Sequence, residues 1–396
     1  MSSHALEHRE VGGPLLTPAY RFLLAIVGIG LATLLFRFVG GIGSVSALND
    51  GYPWGVWIAV DVVVGTALGC GGYAVALLVY ILNKGKYHPL VRPAVLTSLL
   101  GYGLAVLAVA CDLGRFWDLW KVPVFVWRWS HSPQLEVALC VMLYNAVLVA
   151  ELAPAFLEKW VKSPNRGLAD FSARALKVLE SGAVWILALG LLLPTMHQSS
   201  LGTMMLLPGP RMHPLWFTPW LPFLFLVNCV ALGYAIVVIE SVLSERAFRL
   251  RHDHSMIAAL GGVAANVTLF WVLFRVGDAA LGGKLPLALS GRGAFFVAEV
   301  VLNLAGAAIL LSADRRRSPM WQMRAAMLLV LGGALFRVNT YLVAFQPGER
   351  WSYFPAIPEL LITFGIIALE VALYIAAVKR FPILSGVPAT PARSHA

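Results

Sequence analysis

Charged side chains are scarce in this chain. Asp, Glu, Lys and Arg make up 13% of its 396 residues, against about 25% in a soluble domain. With 59% hydrophobic residues and a mean hydropathy of +0.78, that deficit excludes a water-facing globule. Cysteine is scarce too. Cys70, Cys111, Cys140 and Cys229 each stand in an apolar stretch, with no CxxC pair among them. They supply neither a zinc knuckle nor the thiolate set of an iron–sulfur cluster, and they argue against a disulfide framework. Internal repeats are absent to inspection, and low complexity is confined to the short Pro/Ser/Ala tail after Phe381.

What the chain has in quantity is long apolar runs. A hydrocarbon core of about 30 Å takes about 20 apolar residues as a helix, and ten runs qualify. They lie near Ala19–Gly43, Gly55–Asn83, Pro93–Leu113, Gln134–Leu157, Leu179–His197, Trp216–Glu240, Ser255–Val276, Gly293–Ala313, Met320–Phe345 and Ile357–Lys379. The expected fold class is therefore an all-α integral membrane protein of ten helices. A polar segment, 1–18, precedes the membrane domain, 19–379, and a short tail, 380–396, follows it. The first run exceeds a signal-peptide core and lacks a cleavage pattern, so it is expected to remain as a helix.

The net charge of +10 marks loop bias rather than nucleic-acid binding. Twenty Lys and Arg flank the spans on the side of the two termini, from Arg9 and Lys84 to Arg316, Lys379 and Arg393. Seven lie on the other side, among them Arg115, Lys121, Arg211 and Lys284, and Arg37, Arg275 and Arg337 lie within spans or at their ends. This places both termini in the cytoplasm of a multi-pass protein of the bacterial inner membrane, in agreement with an even number of spans. The loops near 114–133 and 198–215 on the outer side are rich in Trp and Pro. Trp117, Trp120, Trp127, Trp129 and Trp216 read either as an interfacial belt or as a docking surface for an extrinsic partner.

Ionisable groups inside spans are costly and mark function by default. Arg37, Asp61, Asp112, Glu136, His197, Arg275, Glu299 and Arg337 fall in the outer half, whereas only Glu151, Glu240 and Glu370 lie near the middle or inner half. A site opening outward is expected, with a sparse polar trail inward. Mutual neutralisation, for example of Arg337 by Glu299, is the structural alternative. Asp61 heads a ridge of Gly65, Gly69 and Gly72, a pattern for close helix packing. Its own role is open between a helix-to-helix hydrogen bond and site chemistry. A bis-histidine haem needs ligands on facing spans. Of nine histidines only His197 sits at a span end, so no bis-histidine haem is expected, and any electrons that enter this subunit must arrive from a cluster in a partner.

The stretches NDGYPWGVWIAVD at Asn49–Asp61 and CGGYAVALLVYILNKGKYHPLVRPAVLTSLLGY at Cys70–Tyr102 carry a resemblance. So do DLGRFW at Asp112–Trp117, EVALC at Glu136–Cys140 and LPTMHQSSLGT at Leu193–Thr203. They resemble the membrane subunit of hydrogenase-2-type periplasmic nickel–iron hydrogenases, within the polysulfide reductase/nitrite reductase membrane-anchor (NrfD-like) family. The resemblance runs from about Tyr20 to Arg380 and is strongest before Thr203. It implies two four-helix bundles, spans two to five and six to nine, with the first and tenth spans outside. It also implies electron exchange between a ferredoxin-like iron–sulfur subunit, coupled to hydrogenase large and small subunits at the periplasmic face, and a membrane quinone (menaquinone or ubiquinone), without haem.

By that resemblance Tyr102, Glu136, His197 and Glu240 are candidate quinone or proton-transfer groups, Glu240 in the less distinctive surroundings. Quinone chemistry moves two electrons and two protons. Donors near each carbonyl stabilise developing charge, and a carboxylate or imidazole relays the proton. Trp54 and Trp117 can wall the ring, with Asp61 a further pocket candidate. Asp112 and Arg115, three apart at a helix end, either bind a carbonyl or pair with each other. For Tyr102 the plain alternative is a helix-to-helix hydrogen bond. The same fold serving a molybdenum or polysulfide reductase is the nearest competing reading. An ion or proton transporter is another, although the prolines cluster at span ends rather than breaking helices at the midplane. A passive anchor would leave the buried carboxylates without a purpose.

Overall fold

The computed structural model describes residues 8–251, 253–385 and 387–388. Ten helices in it are long and apolar enough to cross a membrane, the number expected. Spans one to five are Pro18–Gly40, Trp57–Ile81, Gly85–Asp112, Pro133–Trp160 and Arg166–Met204. Spans six to ten are Leu221–Phe248, His254–Leu281, Gly293–Leu311, Pro319–Val343 and Ile357–Arg380. Most boundaries fall close to the expected ones. Span five does not. It has 39 residues, which at about 1.5 Å per residue exceeds the roughly 30 Å hydrocarbon thickness. Asn165 caps it by accepting from the Leu168 amide at 3.3 Å, and no proline interrupts the turns from there to Pro194. Arg174 and Lys177, expected in a loop, therefore stand on a helix. Two further corrections follow: His197 is not at a span end but buried seven residues inside, and Pro194 also lies within the helix.

Span four packs along spans five and three, span three on span two, and span two on span six. Span six also contacts spans five, seven and nine, span eight contacts seven and nine, and span one lies along span ten, which reaches span three. Missing side chains set the closest approaches. A Cβ on Gly233 would stand 2.6 Å from the Cys70 carbonyl oxygen, and one on Gly101 would stand 3.3 Å from both the Gly65 carbonyl oxygen and the Gly69 Cα. The Gly65–Gly69 pair thus has the packing role expected of it. Span two is irregular. Its backbone widens to π turns at Trp57–Val62 and Leu77–Ile81, a feature frequent at functional sites.

Both ends of the chain lie on one side, called here the terminal side. His8–Arg9 pairs antiparallel with Leu384–Ser385, and Leu250–Arg251, in the loop after span six, pairs with Val387–Pro388. Residues of the low-complexity tail thus tie the first and middle parts of the chain together. Lys159 adds a bond to the Arg380 carbonyl at 2.6 Å. On the far side the loop after span five meets the end of span nine, where His213 N–H donates to the Ala344 carbonyl at 2.8 Å. His4, His252, His395 and Arg393, assigned above to the terminal side, lie outside the described residues.

Candidate functional site

Four helices meet around the middle of span two. Thr66, on that span, gives its hydroxyl proton to the Val62 carbonyl at 2.6 Å. Its oxygen is then the acceptor for Gln198 Nε2 and for His197 Nε2, each at 3.2 Å. Gln198 Nε2 also donates to the Tyr102 hydroxyl at 3.1 Å. Tyr102 in turn lies 3.5 Å from Cys70 Sγ, whose thiol proton is given to the Thr66 carbonyl at 3.3 Å. The Tyr102 ring meets Tyr144 of span four edge-on at 4.7 Å and His197 at 5.3 Å. All these side chains are buried, and the cluster contains no charged group. Two buried polar atoms, His197 Nδ1 and Gln198 Oε1, have no hydrogen-bond partner. Burying an unmet polar atom is costly, so these two are where a ligand or water fits.

The cluster continues toward the far side. Ser200, one turn beyond His197, donates to Glu136 Oε1 at 2.7 Å. Glu136 is exposed in the first turn of span four. Gln134, two residues before it, lines a far-side cavity of about 380 Å³ together with Trp54, Met204, Arg211 and Phe345. The Trp54 indole donates to the Tyr341 carbonyl at 2.9 Å, which holds its ring upright against Tyr341 and Phe345. Tyr102 and His197 are therefore brought together, and Glu136 meets the same stretch of span five through Ser200, three residues beyond His197.

The other candidates stand apart. Glu240 lies in the terminal-side half of span six, in a short contact with the Thr97 hydroxyl, five residues from Tyr102 along span three. Asp61 accepts from Thr363 of span ten at 2.8 Å, the helix-to-helix bond that was one of its two readings. Asp112 is the last residue of span three, and Arg115 follows in an exposed turn. The helix ends between them, so they neither share a face nor pair. Trp117 is 60% exposed in the far-side loop. Trp216, expected at the surface, is buried, with its indole donating to Glu299 at 3.2 Å. Glu299 is neutralised by Arg275 at 3.2 Å, not by Arg337. Arg337 instead donates to Asn228 at 2.7 Å and to the Val63 and Phe225 carbonyls at 3.0 and 2.8 Å. Arg37 ties the Cys111 and Leu113 carbonyls at the end of span three.

Thr66, Cys70, Tyr144, Gln198 and Ser200 were not singled out from the sequence. The signal for the last two was present: His197–Ser200 is a run of four polar residues within an otherwise apolar helix.

A family model described as polysulphide reductase, NrfD, matches residues 44–344. The chain belongs to the NrfD family. It is a multi-pass membrane protein of that family. It is 37% identical over 386 residues to the probable Ni/Fe-hydrogenase 2 b-type cytochrome subunit of Escherichia coli (strain K12), covering 95% of each chain. It is 27% identical to the integral membrane subunit of menaquinone reductase from Nitratidesulfovibrio vulgaris, covering 91% of this chain and 90% of the relative. A selenate reductase subunit from Mesobacillus selenatarsenatis is 25% identical over 57% of this chain and 56% of its own.

The name of the Escherichia coli relative raises haem. The described residues do not fit a bis-histidine one. His197 Nε2 is engaged by Thr66 and its ring is packed against Tyr102. Among the described residues His8, His88 and His254 lie on the terminal side and His131 and His213 in far-side loops, so no span carries a second histidine at the depth of His197.

Proposed function

We propose that this chain is the haem-free, quinone-reactive membrane subunit of a periplasm-facing nickel–iron hydrogenase. It passes electrons between an iron–sulfur partner and the quinone pool. The observation that carries this reading is the uncharged buried cluster of Tyr102, His197, Gln198 and Thr66, with two unpartnered polar atoms, on the stretch of span five where Ser200 holds Glu136. A bound quinone supplies the redox chemistry, two electrons and two protons at a time. The chain's own part is to place the ring and move protons. Trp54 and Phe345 line a cavity within the size range of small-molecule sites. Glu136 exchanges protons at the outer end, and His197 Nδ1 accepts one within. The terminal side is cytoplasmic by its excess of Lys and Arg, so the cavity faces the periplasm. The exposed aromatics of the 114–132 loop, Trp117, Trp120 and Trp127, are then available to the iron–sulfur partner. The neighbour pattern of the spans supports grouping two to five and six to nine as bundles.

Service to another reductase is the second reading, favoured by the menaquinone and selenate reductase relatives. Purifying the complex under native conditions separates the two. Co-purified nickel and hydrogen-dependent quinone reduction, with no b-haem bands on reduction, are the expected results. A complex carrying molybdenum in place of nickel would select the second reading, and stoichiometric haem would overturn the haem-free one.

A further inference from the structure

The terminal-side connection between spans eight and nine carries Arg315, Arg316 and Arg317, and Arg324 follows on span nine, with Asp314 the one carboxylate among them. Arg316 fixes the turn. It lies over span seven, where a glycine leaves it room: a Cβ on Gly262 would stand 2.6 Å from its Nη1. Its carbonyl accepts from Gln322 Nε2 at 2.8 Å, and its amide donates to the Ser312 carbonyl at 2.9 Å. Arg315 and Arg324 are placed differently. Their guanidiniums lie 5.3 and 4.9 Å from the centre of one ring, that of Trp321. The two like charges are therefore no farther apart than about 10 Å, the Debye length at 0.1 M salt. Among the described residues neither has a carboxylate partner, unlike Arg92, which holds Glu158, and Lys159, which holds Glu10.

Arg324 also stands on a face of span nine that the rest of the protein leaves uncovered. Met320, Arg324, Met327 and Leu331 fall within about 60° of one another at roughly 100° per residue, and all four are exposed. In a membrane-spanning helix such an apolar stripe meets acyl chains. Arg324 lies five residues past Pro319, about 7.5 Å along the axis. Side chains on a helix lean toward its N-terminus, which for span nine is the terminal side. The stem of Arg324 thus lies along apolar surface while its guanidinium reaches headgroup level, beside an aromatic of the kind that anchors there. Two like charges held around one ring repel each other. The charge that balances them must come from outside the chain.

We propose that Arg315, Trp321 and Arg324 form a binding site for the headgroup of an anionic phospholipid in the terminal-side leaflet. The phosphate oxygens accept from the N–H groups of the two guanidiniums, whose planar forks suit phosphate. An acyl chain lies along Met320, Met327 and Leu331. The occupant is a lipid rather than a free anion because Arg324 is presented on the stripe that meets acyl chains. A zwitterionic lipid is disfavoured, since its headgroup carries no net charge to set against two guanidiniums, and the exposed Arg317 adds a third positive charge to the same turn. The site lies in spans eight and nine, outside the cluster around Thr66, and does not depend on the quinone reading.

Native mass spectrometry of the full chain in a non-ionic detergent, titrated with phosphatidylglycerol or phosphatidylcholine, tests this. The wild-type chain should bind phosphatidylglycerol more tightly. Removing one guanidinium, in Arg315→Gln or Arg324→Gln, should weaken that binding about fivefold, and removing both about twentyfold. Binding of phosphatidylcholine should not change. Arg324→Lys, which keeps the charge but loses the planar fork, should weaken it less than Arg324→Gln. Arg174→Gln removes an exposed charge at the terminal side of span five and should bind as wild type does. Equal weakening by Arg174→Gln would mean general attraction to a basic face and would overturn the site, as would equal affinity of the wild type for the two lipids. Displacement of the lipid by inorganic phosphate would make this a free-anion site and overturn the lipid assignment. Both arginines are exposed, so the variants should fold. If the double variant does not, the two single ones decide.

Discussion

In spans six to nine, the buried cations are bound to fixed partners. Arg275 is held by Glu299 and the Leu215 carbonyl, Glu299 also accepts from Trp216 and Asn339, and Arg337 is held by Asn228 and two carbonyls. In spans two to five the buried cluster around Thr66 holds no charged side chain, His197 Nδ1 and Gln198 Oε1 are unpartnered, and Glu151 faces a cavity. The difference separates support from chemistry. A charge locked in a dry network cannot change its protonation without leaving its counter-ion uncompensated, whereas a neutral donor–acceptor chain can pass a proton and return to its starting state. The π turns of span two lie at the boundary, where the Val63 carbonyl accepts from Arg337 while Thr66, three residues on, belongs to the neutral cluster.

The largest effect should come from unbalancing the locked half. Glu299→Gln keeps the side-chain size and an acceptor for Trp216 and Asn339 but leaves the Arg275 charge unpaired. Breaking a buried pair on one side costs about 3–5 kcal/mol. The expected outcome is a strong loss of folded protein in detergent extracts, seen as a lower thermal midpoint and aggregated chromatographic profile. Wild-type yield and midpoint would show that the pair contributes little and that the contrast between the halves is misplaced.

Glu136→Gln should give the opposite profile. Its carboxylate is exposed and held by a single serine, so folding and assembly should be unaffected. Quinone-linked turnover should fall about 10²-fold, within the range of general acid–base contributions. Hydrogen uptake with an artificial dye, which takes electrons before they reach this chain, should persist. His197→Ala should lower turnover at least as far and also lose stability, because it opens a cavity in a buried cluster. Parallel loss of dye and quinone activities in Glu136→Gln would sink its role in proton transfer.

The number of spans and the shared side of the termini were legible because both follow from composition along the chain: runs of apolar residues and the bias of Lys and Arg. Partner choice was not. Whether Glu299 meets Arg275 or Arg337 depends on how spans seven, eight and nine are rotated against one another, which no local pattern specifies. Trp216 looked like a surface aromatic for the same reason, since only the tertiary fold brings Glu299 to its indole. His197 was found as a residue but misplaced in depth, because the helix continues through a polar run that hydropathy alone reads as a terminus. The cavity that Glu151 faces is a packing property of spans two to five, which no local pattern specifies.

A smaller effect within the neutral half is expected from Tyr102→Phe. The ring contacts with Tyr144 and His197 persist, but Gln198 Nε2 loses one acceptor. A buried donor left unmet costs about 1–3 kcal/mol, less than Glu299→Gln. If Tyr102 is only a helix-to-helix bond, the thermal midpoint falls and quinone turnover per folded complex is unchanged. If it belongs to the site, turnover per folded complex falls about tenfold, and the Michaelis constant for quinone changes less than the maximal rate.

The smallest effect distinguishes the halves at their terminal-side helix starts, outside the membrane-spanning segments. Span five begins at Asn165 and span seven at Asp253, each side chain accepting from backbone amides of the first turn. Only the second can titrate. Hydrogen bonds from Ser255 above all, and from the Met256 amide, hold the Asp253 carboxyl below the usual carboxylate range. Its folded pKa is thus lower than its unfolded one. The stability it contributes is complete above the unfolded value of about 3.9 and is lost as the pH falls through the folded value. Asp253→Ala should cost about 1 kcal/mol at neutral pH, as loss of an N-cap does. Asp253→Asn should keep the cap and flatten the acid side of the stability profile. Asn165→Asp should do the converse, adding to span five the acid-sensitive stabilisation that span seven has. Thermal unfolding of the four proteins between pH 7 and 3 measures all of this. An Asp253→Asn profile identical to wild type on the acid side would show that the cap does not sense pH in this range.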